Sequence, residues 1–241
     1  MHVPTRQRAA PPEPRGDGAR VDGLVARYAL KAGLSGVVFA VLLVLGMVLI
    51  ATTPRLGASD AAYAAFYGGG GPETLTVVGL YIVPFAGISC LWHMITMRTL
   101  LQVRRPSSWA ETSHWLHLAA SVIFVCMLFV STAAVGAVAL LTKFSDAPLP
   151  GPDVARALSS VGYTLLFVYG VRAAGMYMIT TTGLASSAGV IPRPLVVLSY
   201  VVAALLLVST TFHPAILLVF PAWVLMVSIV LLVRRPTGVS S

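Results

Sequence analysis

Six long apolar runs constrain this chain of 241 residues more than anything else in it. A helix needs about 20 mostly apolar residues to cross a hydrocarbon core roughly 30 Å thick. Runs of that order lie at 33–52, 75–97, 115–141, 158–180, 195–211 and 215–233. Hydrocarbon offers no partner to backbone amides, so a crossing segment must be a helix or part of a closed barrel, and unbroken apolar runs favour helices over alternating strands. The expected fold class is therefore all-α, a polytopic integral membrane protein. Only Phe212, His213 and Pro214 separate the last two runs. Merged, they would make about 38 residues, more than one tilted crossing uses, so a tight reversal and six spans are expected.

Composition agrees. Hydrophobic residues make up 57% of the chain and charged residues 10%, against about 25% charged in a soluble domain. Lys and Arg near helix ends are retained on the cytoplasmic side of a membrane. With six spans and the amino terminus inside, the cytoplasmic side receives Arg6, Arg8, Arg15, Arg20, Arg27, Lys31, Arg98, Arg104, Arg105, Arg193, Arg234 and Arg235, 12 of the 16 basic residues. Arg55, Lys143 and Arg156 fall outside and Arg172 within the fourth span. Both ends are thus expected in the cytoplasm. The net charge of +8 reads as this topological signal plus attraction to anionic lipid headgroups. No basic patch interleaved with aromatics points to nucleic acid. The balance of 14 Arg to 2 Lys, with abundant Ala, Val, Leu and Gly, suggests a GC-rich, actinobacterial genome, and hence a bacterial plasma membrane.

Residues 1–20 hold Pro4, Pro11, Pro12 and Pro14 with almost no large apolar side chain, which predicts a disordered cytoplasmic tail. The membrane domain then covers 21–235, and 236–241 form a short second tail. The first span is too long for the apolar region of a cleaved signal peptide, so it reads as a retained anchor. Val21, Leu24, Val25 and Tyr28 recur at helical spacing. They fit either a surface helix or an early start of the first span. Ser59 is placed to cap a short helix that aligns Tyr63, Phe66 and Tyr67, an aromatic face suited to headgroups. Gly162, Gly170, Ala173, Ala174 and Gly175 in the fourth span predict a close helix contact, and Pro84 predicts a distortion of the second span. Val-Arg-Arg-Pro closes both the second span and the last. Cys90 and Cys126 sit at depths roughly 10 Å apart and are expected not to pair.

Three motif matches carry no chemistry. Asp22, Gly23, Ala26, Arg27 and Gly36 fit part of the metal-binding pattern of the phosphatidyl-alcohol transferases, but Ala19, Ala40 and Val44 replace the other carboxylates, so hard cations lack ligands. Gly33-Leu34-Ser35-Gly36 resembles the rhomboid-protease nucleophile motif, yet its Ser opens the first span and no His follows in the late spans. Gly68 to Gly71 lacks the Lys and hydroxyl residue of a phosphate loop.

What remains is polar. Arg172 is costly, since a charge at mid-bilayer costs about 2.5 to 3.5 kcal/mol on insertion scales. No carboxylate lies in a span, so Arg172 is expected to snorkel, to use carbonyls and hydroxyls, or to reach Glu111. His93, and Glu111, His114 and His117 in a Glu-x-x-His-x-x-His pattern, are expected near it in depth. Two readings stay open for this layer: interfacial anchoring beside Trp92, Trp109 and Trp115, or a ligand site. In the second, His93 and His117 would hold a b-type haem with Arg172 near a propionate.

The carboxyl-terminal stretch Gly189-Val-Ile-Pro192-Arg193-Pro194-Leu195, leading through Phe220-Pro221-Ala222-Trp223-Val224 to Arg234-Arg235, resembles the final helical hairpin of a group of uncharacterised bacterial multi-span proteins. The resemblance spans about the last 55 residues and implies a helical membrane fold without an activity. A non-enzymatic interaction or assembly component, meeting membrane lipids and other membrane proteins, needs nothing more than these features. A small-molecule transporter needs a midplane site, for which Pro84 and Arg172 are the hints, and a haem redox protein needs the histidine pair. An enzyme is not expected, because the spans offer neither a carboxylate cluster nor an evident nucleophile with its base.

Overall fold

The computed structural model describes residues 16–104, 111–146 and 148–234. Among them the secondary structure is helical throughout. The first helix, α1 (Gly16–Ile50), is unbroken, so the amphipathic stretch at 21–28 is the early start of the first span. The helix also reaches back into the predicted tail, whose residues 1–15 lie outside the described residues, as do Arg105, Trp109, Arg235 and the tail 236–241. A short helix, α2 (Asp60–Gly68), follows. Ser59 caps it as expected, accepting from the Ala62 amide at 3.3 Å.

The second span is built from α3 (Gly71–Val77), a π turn at Val78–Ile82 and α4 (Val83–Arg104). Pro72 sits in the first turn, where its missing N–H costs nothing. The π turn has its cause in Pro84, whose ring cannot pass the carbonyl of residue 80 in a regular helix and which donates no hydrogen bond. The third span is α5 (Glu111–Phe144). The fourth comprises α6 (Pro152–Thr164), a π turn at Leu165–Gly170 and α7 (Val171–Ser187). Then come α8 (Arg193–Val208) and α9 (Ala215–Val233).

Among the described residues five helices are long and apolar enough to cross a membrane; α8, with 16 residues, is shorter. At 1.5 Å per residue it rises about 24 Å against a core of roughly 30 Å. The fifth expected span, 195–211, therefore ends early: the helix stops at Val208 and residues 209–214 are non-helical. The reason appears at Arg172, below.

The six helical columns stand side by side. α1 packs chiefly on α4 and α9, α5 on α4, α6 and α7, and α8 on α7. Large apolar side chains such as Val41, Ile88, Val130 and Val201 are exposed on the outside, as a lipid-facing surface requires. Glycines set the closest approaches. A Cβ on Gly162 would come within 2.7 Å of the Ser131 carbonyl, and one on Gly33 within 2.6 Å of Leu232. A Cβ on Gly175 would come within 3.1 Å of the Ala203 carbonyl and of Leu207 on α8. The small residues of the fourth span thus face α5 at one end and α8 at the other. Cys90 is buried, Cys126 exposed, and both are free thiols.

The antiparallel packing gathers Arg20, Arg27, Lys31, Arg98, Arg104, Arg193 and Arg234 at one end of the bundle, hereafter the basic end. At the far end Arg156 joins α2 to α6. Its guanidinium binds Asp60 at 2.6 Å, Asp153 at 3.1 Å and the Ala58 carbonyl at 2.7 Å, and lies 4.7 Å over the Tyr63 ring. Tyr63 is accordingly buried rather than turned to headgroups, and its hydroxyl donates to the Arg55 carbonyl. Burial pushes its phenol above the ordinary value, with Arg156 pulling partly against it.

Candidate functional site

Of the polar residues singled out in the sequence, His93, His117 and Arg172 bond to other helices, but not as one layer. His93 on α4 is fully buried and its Nδ1 lies 2.8 Å from the Ala32 carbonyl of α1. A carbonyl only accepts, so Nδ1 is assigned the proton and Nε2 the lone pair. His117 on α5 is also fully buried. Its Nε2 lies 3.3 Å from the Met94 carbonyl of α4 and its Nδ1 3.1 Å from the Thr181 hydroxyl of α7. By the same reasoning Nε2 donates to Met94 and Nδ1 accepts from Thr181. The His117 ring rests 4.7 Å from that of Tyr177, whose hydroxyl lies beside Thr181 without completing a hydrogen bond.

Arg172 stands apart. It lies nine residues along the helix from Thr181, about 13 Å, and Glu111 lies six residues beyond His117 the other way, about 9 Å more. The expected proximity of Arg172 to the histidines is therefore corrected, and Glu111, some 22 Å away along the axis, is out of its reach. Of the routes open to it, Arg172 takes the carbonyls. It donates to Val168 at 2.7 Å and to Ser209, the residue that closes α8, at 3.3 Å. The last carbonyls of a helix have no partner within it and carry its negative end. A cation from α7 meets that need, which is why α8 can stop short at membrane depth.

The haem reading does not fit these residues. Two axial histidines must each point a lone pair across the thickness of a macrocycle. Here both nitrogens of His117 are engaged, and one of them touches the backbone of α4 next to His93, leaving no slot between the helices. Arg172 is also too distant to meet a propionate.

Other buried polar groups behave like the histidines. Ser131 donates to the Gly162 carbonyl at 2.7 Å, joining α5 to α6. The Trp223 indole donates to Ser199 at 2.7 Å, joining α9 to α8. Every pair of neighbouring columns in chain order thus shares a polar side-chain bond: His93 for the first and second, His117 for the second and third, Thr181 and Ser131 for the third and fourth, Arg172 for the fourth and fifth, Trp223 for the fifth and last. The last meets the first through small residues, where a Cβ on Gly36 would overlap Ser228 and come within 2.7 Å of His93 Nδ1. Thr181 with His117 is a hydroxyl and base pair that sequence reading missed, because nothing in either segment marks the other as its neighbour. Buried inside the bundle, the pair serves as a contact between helices.

About two turns further toward the far end, Phe39, Phe124 and Phe220 meet edge to face, with centroids 4.7 to 6.3 Å apart. Above them lies an apolar cavity of about 40 Å³ lined by Leu43, Leu128, Leu166, Val171, Ile216 and Phe220 among others. Among the described residues no three His, Cys, Asp or Glu side chains are grouped to hold a metal ion.

Comparison with known protein families, curated proteins and solved structures finds no match to this chain. The five long apolar helices define a class, a helical protein embedded in a membrane.

Proposed function

We propose that this is a non-enzymatic, six-span protein of a bacterial plasma membrane, with both ends cytoplasmic, that serves as an interaction or assembly component. One observation carries the reading: each column is tied to the next along the chain by a deep polar side chain, His93, His117, Thr181, Ser131, Arg172 or Trp223. Side chains so used specify one arrangement of helices in a solvent where apolar burial cannot. They are not available to bind and release a substrate. The orientation rests on the cations gathered at the basic end, which the positive-inside rule assigns to the cytoplasm.

Photo-crosslinking in cells from Val41 on α1, Ile88 on α4, Val130 on α5 and Val201 on α8 tests the role. An adduct with one membrane protein from a single face, whose abundance falls when this chain is deleted, is the expected outcome. Adducts with lipid alone from all four positions would overturn it.

The cavity over the phenylalanine floor favours one second reading, passage of a small apolar solute along the bundle axis. Solute-driven swelling of proteoliposomes, faster than in protein-free vesicles and blocked by Leu43→Trp, would favour this reading over assembly. Swelling unaffected by that substitution would remove it.

A further inference from the structure

Two donors at the basic end are not used by any neighbouring helix. His114 is 5% exposed, and its buried Nδ1 has no hydrogen-bond partner; the buried Nε of Arg98 has none either. The two residues belong together. Arg98 lies one turn from Met94 toward the basic end, and His114 one turn from His117 in the same direction. Since Met94 and His117 touch across the α4 and α5 interface, these two come to the same level, and Arg98 stands within electrostatic reach of His114. The Arg98 guanidinium is 5.8 Å from the centre of the Trp115 ring, and Trp115 is 59% exposed, facing the lipid side of this groove.

The other buried polar atoms without a partner among the described residues, His93 Nε2 and the hydroxyls of Tyr177, Thr182 and Ser228, belong to fully buried residues, whereas Arg98 Nε belongs to a cation on a partly open residue. An unpaired buried guanidinium nitrogen and imidazole nitrogen side by side are costly unless something outside the chain accepts from them. Arginine only donates and carries a full positive charge, so an anionic acceptor satisfies it best. It must also reach a groove walled by an indole at the level where the helices leave the hydrocarbon. Arginine forks onto phosphate oxygens with charge-assisted bonds, and a ring beneath the guanidinium holds its plane. Glu111, one turn before His114, is exposed and forms no ion pair with a described residue.

We propose that Arg98 and His114, with Trp115 as wall, bind the phosphate of one anionic lipid headgroup in the leaflet at the basic end. The site is specific: cations on the same surface such as Arg104 and Arg193 contribute general attraction, whereas Arg98 and His114 hold one lipid in place.

Native mass spectrometry of the detergent-purified full chain, titrated with phosphatidylglycerol, phosphatidylcholine or inorganic phosphate, tests this. One saturable phosphatidylglycerol adduct is expected, weakened about tenfold or more in Arg98→Gln and in His114→Ala and unchanged in Arg104→Gln. Arg98→Lys, which keeps the charge, should recover part of the loss, and circular dichroism melts identify any variant that fails to fold. An Arg104→Gln effect as large as that of Arg98→Gln would overturn the site in favour of diffuse attraction. Equal binding of phosphatidylcholine would overturn the requirement for an anion, and displacement of the lipid by millimolar phosphate would reassign the site to a soluble anion.

Discussion

At the scale of single residues, Gly36 decides how closely three helices meet. His93 reaches Ala32 on α1 only because nothing projects from position 36 between it and Ser228. Gly36→Ala should therefore break the His93 bond or push α9 outward, costing about 1 to 3 kcal/mol from the orphaned buried donor alone. A fall in the thermal midpoint, absent from the exposed control Gly23→Ala, would show it; equal midpoints would mean that α9 yields without loss. The residues themselves were legible in the sequence as intramembrane polar groups needing an account. Their partners were not, because Ala32, Met94 and Ser209 offer carbonyls, and every residue has one. Sequence reading thus turned to other side chains, such as Glu111, or to a metal centre, where the fold supplies backbone.

At the scale of elements, hydropathy located the six helical columns but misjudged the end of α8. Ser209, Thr210 and Thr211 end the aliphatic stretch, but the first strong break, Pro214, lies six residues past the point where the helix stops. Arg172, one helix away, makes the stop affordable. Arg172→Met should leave the Ser209 carbonyl without its donor and remove a cation facing the negative end of α8. The 209–214 segment should then loosen, raising hydrogen exchange at residues 205–214, whereas slower exchange at 209–212 would mean that α8 had lengthened by a turn instead. Unchanged exchange there would mean that water caps the helix instead. Arg172→Lys should keep most of the protection, since an ammonium can still meet the carbonyl. The π turn before Pro84 was foreseeable in outline, because proline disturbs a helix in a known way; the one at Leu165–Gly170 has no proline to announce it.

At the scale of the whole molecule, the placing of α8 decides whether the protein has five crossings or six. Single cysteines at Thr210 and Ser186, in a Cys90→Ala, Cys126→Ala background, separate the two cases. With six crossings a membrane-impermeant maleimide applied outside intact cells labels position 210, and labels position 186 only after permeabilisation. Labelling of both from the same side would leave α8 as a helix that enters and does not cross. The polar bonds between columns also have an order in time. Each joins a helix to the one synthesised just before it, and chains assemble from the amino terminus as they are made. His93 finds α1 already present, His117 finds α4, Arg172 waits only for the end of α8, and Trp223 finds Ser199. No buried donor in this series need stay exposed to lipid until synthesis is complete. Only the seam between α1 and α9 must wait, and the Ser228 hydroxyl that sits over Gly36 there has no hydrogen-bond partner in the finished bundle, so the delay breaks none.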